Sequence, residues 1–590
     1  MLNNFIGGGQ VFLHKIRMFQ QVFARTVSVA LLLGIVASVS MYNKELKDLD
    51  WSALYAYRKA VIADEFDGAM NSLRMTIGKQ PTHITYINIK TKSGMVKTDL
   101  DPRTVRDFYI FKNANEYAVS LGWDIIVASG FFTSLIFCLI FLLWSKFGKS
   151  LKDETIKDGS GIVLTAEQVN RQLKAMKIAS DFHIGKTPLV RNAETRHFLV
   201  TGSTGSGKTN LLHQLLPQVK RKNQPAIIVD QTGEMIARYY EPERGDIIFN
   251  PFDARSKAWD FFTDCSNLEE LERFSKILFS FNRKRSKSNS DPFWEQSAEA
   301  VFNSCVEYLV KEKDTTLSAL KAMTIDANLA TLHKNLKGTP AERYLTDDGK
   351  GMASSVMSML STSSKPISYL SDNLDAGSFS LKSHFREIKS GSKAWLFLST
   401  KPSSRELTLP LVACLTELAL TQMMDIGINK DRRVWCVFDE LASLGNLPAL
   451  SPLMSEGRKY GACVIAALQS LNQLYDNYGH YGGSSIFGQF GTSFFFRNTE
   501  PAIAKLFSDM CGTETITRQQ KNTSFGANEF RDGVSYNEHQ QRQSIVELND
   551  LASLGVGECY ALLPEPKVRL SKLQTPEDKE TDKNEGFQQK

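Results

Sequence analysis

The chain has 590 residues, a formal net charge of +6 and eight cysteines. It is too long for a single hydrophobic core, so we expect several domains. The mild positive charge permits contact with nucleic acid without indicating it, and the singly scattered cysteines exclude a disulfide framework or a cysteine-rich zinc site.

Two apolar stretches in the first quarter of the chain predict transmembrane helices. The first, residues 22–42, is apolar apart from Arg25, whose long side chain can reach the membrane surface. The second, residues 123–145, is uncharged after Asp124 and has a tryptophan near each end, as interfacial anchors do. A helix of about twenty residues spans about 30 Å, the thickness of the hydrocarbon layer. The first stretch could instead be a signal peptide, because residues 38–40 (Ser-Val-Ser) offer a cleavage site.

A glycine-rich motif of the P-loop type, G-x-x-x-x-G-K-[ST], follows the second span. A short apolar run precedes it and leucines at helical spacing follow it, which is the strand–loop–helix context that the motif requires. The glycines allow successive N–H groups to point into one anion-binding cradle. In such a loop Lys208 reaches the β- and γ-phosphates of ATP, and the Thr209 hydroxyl holds Mg²⁺. The predicted nucleotide-binding residues are Gly202, Ser203, Thr204, Gly205, Ser206, Gly207, Lys208 and Thr209.

The motif also predicts how the chain is oriented in its membrane. Because ATP is cytosolic, we expect the residues after the second span to be cytoplasmic and residues 43–122 to form a small periplasmic domain. Lysines at positions 146, 149, 152 and 157 agree with the positive-inside rule. The periplasmic stretch has no cysteine, and the alternation over residues 82–90 predicts one strand in it.

The rest of the chain alternates strands with helices, which predicts an α/β doubly wound sheet. Between residues 265 and 389 the strand signals fade and helical patterns dominate, so we expect an inserted all-α domain. The predicted map is a cytoplasmic N-terminus (1–21), two spans (22–42 and 123–145) around the periplasmic domain (43–122), a nucleotide-binding domain in two parts (146–264 and 390–570), the insertion (265–389) and a disordered tail (571–590).

An apolar run that ends in two acids, residues 434–440, has the form of a Walker B strand. Asp439, at the end of this strand, would hold the Mg²⁺ ion together with Thr209. Glu440 would polarise the attacking water, which needs a carboxylate within hydrogen-bond reach. An exposed acidic turn after an ordinary strand is the alternative interpretation.

Three further features are candidates for a function because of their positions. Gln469 ends an apolar strand beside the Walker B strand, where an amide can sense the γ-phosphate or orient water; an ordinary turn glutamine is the alternative. Arg458 ends the helix between these strands and could act as an arginine finger toward a neighbour's nucleotide, or be a solvated arginine. The basic run 283–287 can bind a phosphate backbone, although we favour a mobile loop.

With these features the chain resembles the type IV secretion coupling proteins of the conjugative TraD type. The resemblance rests on the order of the spans, periplasmic loop, P-loop, helical insertion and Walker B strand, and on residues 246–259 and 456–470. It implies a RecA-like P-loop ATPase that assembles as a hexamer on the bacterial inner membrane. Such a motor would feed single-stranded DNA with its attached relaxase into the secretion channel. Its implied partners are DNA, single-stranded or double-stranded, the relaxase and DNA-processing complex, the channel proteins and the membrane. The resemblance also implies that Arg458 is a trans-acting finger and Gln469 a sensor.

Two alternative functions remain open from the sequence. A chromosome-segregation translocase of the FtsK type would be expected to have more spans, a long linker and a winged-helix DNA reader, which the sequence does not show. A docking receptor or scaffold switched by nucleotide binding would not need Glu440. The short tail departs from the long tails of well-studied family members, so the partners that such a tail would bind are left open.

Overall fold

The computed structural model describes residues 2–80, 87–91, 94–147, 154–158, 163–286, 292–346, 350–372, 377–524, 533–576 and 581–589. The chain divides into two compact units, Met1–Asp153 and Glu154–Lys590. Helices and strands are numbered along the chain through both units.

The first unit is mostly helical. Its elements are α1 (Leu2–Met41), α2 (Asn43–Asp48), α3 (Trp51–Thr76), β1 (Ile87–Thr91), β2 (Gly94–Leu100), α4 (Pro102–Asp107) and α5 (Tyr109–Phe147). Strands β1 and β2 form an antiparallel hairpin. The strand predicted over residues 82–90 overlaps β1 from Ile87 onward. Residues 82–86 of that prediction lie outside the described residues.

Alanines at helical spacing form a small core between α3 and α4, which lie between the two long apolar helices in the sequence. Ala56, Ala60 and Ala63 of α3 form a small core with Val105 of α4. Asp64 reinforces this packing, because it lies 3.0 Å from Arg103 and 2.7 Å from Arg106. The small side chains allow the two helices to approach closely, and the ion pairs fix their register.

Two helical stretches of the first unit, Phe19–Met41 and Tyr109–Trp144, are long and apolar enough to cross a membrane. The expectation of two N-terminal apolar helices is confirmed, but both helices extend beyond the predicted spans. Helix α1 already begins at Leu2, and α5 begins at Tyr109 because no proline interrupts the segment before residue 123. A third stretch of similar length and composition, Pro402–Asp425, is mostly buried inside the second unit.

The second unit opens with a small β-rich segment and the first part of a large sheet. Its elements up to residue 259 are β3 (Glu154–Asp158), β4 (Leu164–Thr165), α6 (Ala166–Ala175), β5 (Ala179–Ile184), β6 (Thr187–Val190), β7 (Phe198–Thr201), α7 (Lys208–Arg221), β8 (Ala226–Asp230), α8 (Glu234–Tyr239), β9 (Ile247–Phe249) and β10 (Ala258–Trp259).

Helix α9 (Phe261–Asp264) leads into the predicted insertion, 265–389, whose described regular elements are helices with one short exception. They are α10 (Leu268–Ser286), α11 (Pro292–Glu312), α12 (Leu317–Thr324), α13 (Leu329–Asn335), α14 (Lys350–Ser364), β11 (Ser378–Phe379) and α15 (Leu381–Lys389). The exception, β11, pairs in parallel with β10 just before the insertion. This pairing joins the two ends of the insertion.

The chain then returns to the sheet. The remaining elements are β12 (Trp395–Ser399), α16 (Arg405–Asp425), β13 (Val434–Phe438), α17 (Leu450–Glu456), β14 (Ala462–Leu468), α18 (Leu471–Gly488), β15 (Thr492–Phe496), α19 (Pro501–Cys511), β16 (Thr513–Ser524), β17 (Gly533–Ser544), α20 (Leu548–Ala552), β18 (Glu558–Leu562) and β19 (Leu570–Gln574).

Ten strands form one sheet in the order β4-β19-β18-β15-β7-β14-β13-β8-β12-β9. From β15 to β9 all neighbours are parallel, whereas β18 runs antiparallel to both β15 and β19. The predicted α/β fold is therefore confirmed, with a mixed sheet at one side. Strands β3, β16 and β17 form a separate antiparallel sheet.

The central strands are buried on both faces, which explains their continuous apolar runs. Every residue of β8, β12, β13 and β14 is buried. The leucines of α7 pack on one face of the sheet, and α16 packs on the other. Because parallel strands align their carboxyl ends at one edge, this packing fixes where the polar residues after β7, β8, β13 and β14 meet.

Two predictions about local order are wrong. The tail expected to be disordered from residue 571 includes most of β19, where Leu570 and Leu573 are buried against the sheet. Residues 581–589 also lie on the second unit, and the N–H groups of Lys583 and Asn584 both donate to Ala237 O at 2.9 and 2.8 Å. Two buried leucines and backbone hydrogen bonds outweigh the polar composition on which the expectation rested.

The basic run 283–287 is not a loop over its first four residues. Helix α10 continues through Ser286, and Lys287 lies outside the described residues. Lysine and arginine are good helix formers, so an amphipathic helix can extend through such a run.

Candidate nucleotide site

The P-loop lies between β7 and α7, and two of its glycines adopt backbone conformations that other residues avoid. Gly205 has φ of 72° and Gly207 has φ of 115°. A Cβ atom on Gly207 would lie 3.1 Å from Gly557 Cα, and one on Gly202 would lie 2.8 Å from Phe496 Cβ. Glycine at these positions therefore allows both the tight turn and the close approach of neighbouring segments.

Lys208 is the first residue of α7 and its side chain folds over the loop. Its Nζ donates to Gly202 O at 2.7 Å and to Ser203 O at 3.0 Å, and Ser206 Oγ donates to Ser203 O at 2.7 Å. Burial lowers the pKa of Lys208, and the negative charges of Glu440 and Asp439 oppose this shift. Thr209 is half-buried on the same first helical turn.

The two acids after β13 lie beside this lysine. Burial raises the pKa of Asp439 to about 6, and the charges of Asp230 and Glu234 add to the shift. Burial also raises the pKa of Glu440 to about 7, and Lys208 opposes it. Among the described residues Glu440 Oε1 has no hydrogen-bond partner although it is buried. A buried carboxylate oxygen of this kind is available to a water molecule or another polar ligand.

Gln469 connects the P-loop to the catalytic candidate on the neighbouring strand. Its Oε1 accepts a hydrogen bond from Thr204 Oγ1 at 3.2 Å. Hydrogen bonding from Gln469 also lowers the pKa of Glu440 against the larger effect of burial. Its backbone carbonyl accepts from Asn498 Nδ2 at 3.3 Å, which fixes the strand end. The structure thus brings Lys208, Asp439, Glu440 and Gln469 together at one edge of the sheet.

Arg458 lies away from these residues. It is exposed on the turn Gly457–Lys459, just before β14 begins at Ala462. From there β14 runs toward Gln469, and seven strand residues span about 20 Å. Arg458 therefore stands at the amino edge of the sheet, opposite the P-loop of its own chain.

Sequence reasoning missed Asp230, a buried carboxylate next to Asp439. Its Oδ1 accepts from Gly233 N at 2.8 Å, and its Oδ2 accepts from Met235 N at 2.9 Å and Ile236 N at 3.1 Å. These bonds fix the turn into α8. The signal was present, because Asp230 ends an apolar strand just as Asp439 does.

Sequence reasoning also missed Glu234 and His213, two side chains that lie near Asp439 and contact each other. Glu234 Oε1 lies 2.9 Å from His213 Nε2, and His213 Nδ1 lies 2.9 Å from the Tyr239 hydroxyl. Glu234 and Tyr239 follow His213 by 21 and 26 residues in the sequence, and no local pattern indicates that the three side chains meet. Within the part of the chain that the structure describes, no three His, Cys, Asp or Glu residues are grouped so as to hold a metal ion by themselves.

The fold and this arrangement define an α/β domain of the RecA-like P-loop class, with the glycine-rich loop and the two acids after β13 at the carboxyl edge of a parallel sheet. A family model matches residues 181–571 and is described as the type IV secretion-system coupling protein DNA-binding domain. The chain belongs to this family of coupling proteins.

Curated relatives agree with this assignment. The chain is 29% identical over 452 residues to the coupling protein TraD of Escherichia coli K12, a match that covers 75% of the chain and 62% of TraD. It is 23% identical over 368 residues to the coupling protein VirD4 of Bartonella henselae, covering 58% of the chain and 57% of VirD4. The matched stretch thus spans about three fifths of the length of these relatives.

Solved structures of the conjugative coupling protein TrwB have the same fold. The unbound TrwB structure superposes with a TM-score of 0.63 at 23% sequence identity, covering 75% of this chain and 98% of that chain. Another TrwB structure, with the same TM-score, is a complex with ADP and Mg²⁺.

Proposed function

We propose that this chain is a membrane-anchored ATPase that drives DNA, with its bound relaxase, into a type IV secretion channel. The observation that carries the proposal is the convergence of Lys208, Asp439, Glu440 and Gln469 around the P-loop. Membership of the coupling-protein family supports DNA as the substrate. Single-stranded DNA is the form that the proposal favours.

The residues of the site fit a nucleotide with Mg²⁺. A P-loop cradle with glycines at positive φ can present N–H groups to phosphates, and a buried lysine supplies their counter-charge. Mg²⁺ takes few ligands from the protein and the rest from phosphates and water, so Thr209 and Asp439 suffice to hold it. The complex of TrwB with ADP and Mg²⁺ supports a nucleotide with Mg²⁺ as the molecules that this site binds. When bound, the ion would neutralise charge on the phosphates.

Each polar side chain then has a distinct role. Lys208 would exchange its bonds with the loop carbonyls for bonds with the β- and γ-phosphates. Glu440 would orient the attacking water through its unpartnered Oε1 and accept its proton. Gln469 would report the presence of the γ-phosphate, because it contacts both Thr204 and the Glu440 region.

We further propose a homo-hexamer on the bacterial inner membrane, with the second unit in the cytoplasm and residues 43–122 in the periplasm. Two stretches long and apolar enough to span a membrane support the anchoring. The position of Arg458, at the sheet edge opposite its own P-loop, supports an assembly in which it faces a neighbour's nucleotide.

Full-length protein in detergent tests the proposal by ATP binding and hydrolysis, with and without single-stranded DNA. Lys208→Ala should abolish both binding and hydrolysis, because it removes the counter-charge of the phosphates. Glu440→Gln keeps the shape of the side chain, so ATP should bind and remain uncleaved. The exposed residues Lys313 and Glu307 provide matched controls, Lys313→Ala and Glu307→Gln, which should behave as wild type.

If the wild-type protein binds ATP but does not hydrolyse it, with or without DNA, the chain is not a motor. The result would then favour a docking receptor that is switched by nucleotide binding. Equal loss of ATP binding in Lys208→Ala and Glu440→Gln would contradict the separate roles of these residues.

A further inference from the structure

Helix α18 begins at the nucleotide site and is interrupted halfway. Gly479 has φ of 72° and ψ of 165°, a conformation that only glycine adopts readily, and the helix resumes after it. The helix is broken at Gly479, and we call residues 479–482, at this break, the turn of α18. Within this turn the ring of Tyr481 is 92% exposed, which is unusual for so large an aromatic side chain.

Ring stacking and close backbone packing support the turn. His480 stacks on Tyr475, with ring centroids 4.5 Å apart and planes inclined by 27°. A Cβ atom on Gly483 would lie 2.6 Å from Tyr475 Cδ1, so the glycine lets the chain return closely past this ring. Ile486 and Phe487 then enter the core. The packing of these neighbours therefore holds the backbone on both sides of Tyr481, while its own side chain stays exposed to solvent.

The first half of α18 is attached to both sides of the nucleotide site. Gln469, which precedes the helix, accepts a hydrogen bond from Thr204 of the P-loop. At the other end, Asn477 Nδ2 donates to Ala442 O at 2.6 Å, and the Tyr478 hydroxyl accepts from Leu447 N at 3.1 Å. Ala442 and Leu447 belong to the segment that follows Glu440. A shift of either contact with nucleotide state would move the residues immediately before the Gly479 hinge.

The chemistry of the turn indicates what it can bind. No Asp, Glu, Lys or Arg occurs between residues 477 and 496, so the turn does not provide an electrostatic contact to phosphates. It offers instead an exposed aromatic face flanked by glycines and serines. Such a face stacks on a nucleic-acid base irrespective of sequence, but only when the base is unpaired. The turn also lies inside the region matched by the DNA-binding family model.

We propose that Tyr481 is a stacking platform for a base of single-stranded nucleic acid, and that α18 links this contact to the nucleotide site. This inference rests on the proposed function, because it assigns residues to the DNA contact of the motor. It predicts a contact that is insensitive to base sequence and that differs between the ATP and ADP states.

The test uses full-length protein in detergent and a dye-labelled oligo(dT), with affinity followed by fluorescence anisotropy. Tyr481→Ala should weaken binding roughly tenfold, the loss typical of one base–aromatic stack. Tyr481→Phe keeps the ring and should stay within about twofold of wild type. Ile428→Ala is the matched control, because Ile428 is a 71% exposed apolar residue in the loop before β13. Hydrolysis without DNA should be unchanged in all three variants, while stimulation by DNA should fall only in Tyr481→Ala.

A photo-activated oligonucleotide carrying 5-iodouracil gives a direct readout, since it should cross-link to the peptide that contains Tyr481. Unchanged oligo(dT) affinity in Tyr481→Ala would overturn the assignment, and so would a change in its subunit number, which would make the turn a contact between copies of the chain. Wild-type protein that binds no oligo(dT) would instead contradict the DNA part of the proposed function.

Discussion

Glu417 is a buried carboxylate that ties three parts of the second unit together. It belongs to α16, and both of its carboxylate oxygens accept from Ala449 N, at 3.0 and 3.1 Å, at the start of α17. Arg273 Nη1, from helix α10, lies 3.8 Å from Oε1. Burial raises the pKa of Glu417 to about 7 from 4.5, with Ala449 and Arg273 opposing the shift. The core thus contains an acid whose charged form is costly to keep.

Glu417→Gln tests this cost. Between pH 4.5 and pH 7 the folded chain binds more protons at this site than the unfolded chain, so the contribution of Glu417 to stability falls as pH rises through that window. A shift of this size corresponds to about 3 kcal/mol. Relative to wild type, the variant should therefore gain thermal stability from pH 5 to pH 8. Thermal midpoints of the full-length protein measure this difference, and Glu307→Gln should leave the wild-type slope unchanged. Parallel slopes for wild type and Glu417→Gln would contradict it.

At the residue scale, the sequence predicted those candidates whose position is set by a local pattern. An acid or amide that ends an apolar strand has a fixed place in a parallel sheet, and this reasoning placed Asp439, Glu440 and Gln469. It could not place Glu417, because its partner lies 32 residues further along the chain. Side chains that meet through tertiary packing alone carry no periodic signal.

At the scale of single elements, the turn before β14 determines which nucleotide Arg458 can reach. A residue at the amino edge of the sheet cannot reach a nucleotide bound at the carboxyl edge of the same sheet, about 20 Å away. If Arg458 acts as a finger, it acts on another copy of the chain, where its rigid, permanently charged fork can stabilise charge on the γ-phosphoryl group.

Complementation between two inactive variants tests this role. Arg458→Ala should bind ATP and lose roughly 10³–10⁵ in turnover rate, the contribution typical of trans-acting fingers. Mixing it with Lys208→Ala should restore part of the activity, because some junctions then combine an intact P-loop with an intact finger. Lys459→Ala is the matched control, since Lys459 is also exposed on this turn but pairs with Glu456 at 3.1 Å. Normal turnover by Arg458→Ala, or mixed rings that stay inactive, would leave Arg458 as a solvated side chain.

The elements themselves were largely predictable, with instructive exceptions. Helix α16 has the length and composition of a membrane span, yet it lies between β12 and β13 in the chain and is mostly buried. The end of the chain was misjudged because the strand β19 is short and one of its two partners, β4, lies far earlier in the sequence. Composition alone does not reveal such pairings.

At the scale of the whole molecule, labelling in intact cells tests the proposed topology. In a Cys138→Ala background, Lys79→Cys should react with a membrane-impermeant maleimide, because Lys79 follows α3 in the stretch proposed to be periplasmic. Lys313→Cys, also exposed but in the second unit, should react only after the cells are opened. The reverse pattern would overturn the proposed orientation.

The first two strands of the second unit, β3 and β4, also determine how a mechanical load enters it. Strand β3 pairs with β16, and β4 pairs with β19 through Leu164 and Thr165 alone. Tension on the linker must peel these two peripheral pairings before it reaches β7, which β14 and β15 hold on either side. Tension that enters at Glu154 is therefore taken up first at the periphery of the second unit, before it reaches the strand that leads into the P-loop.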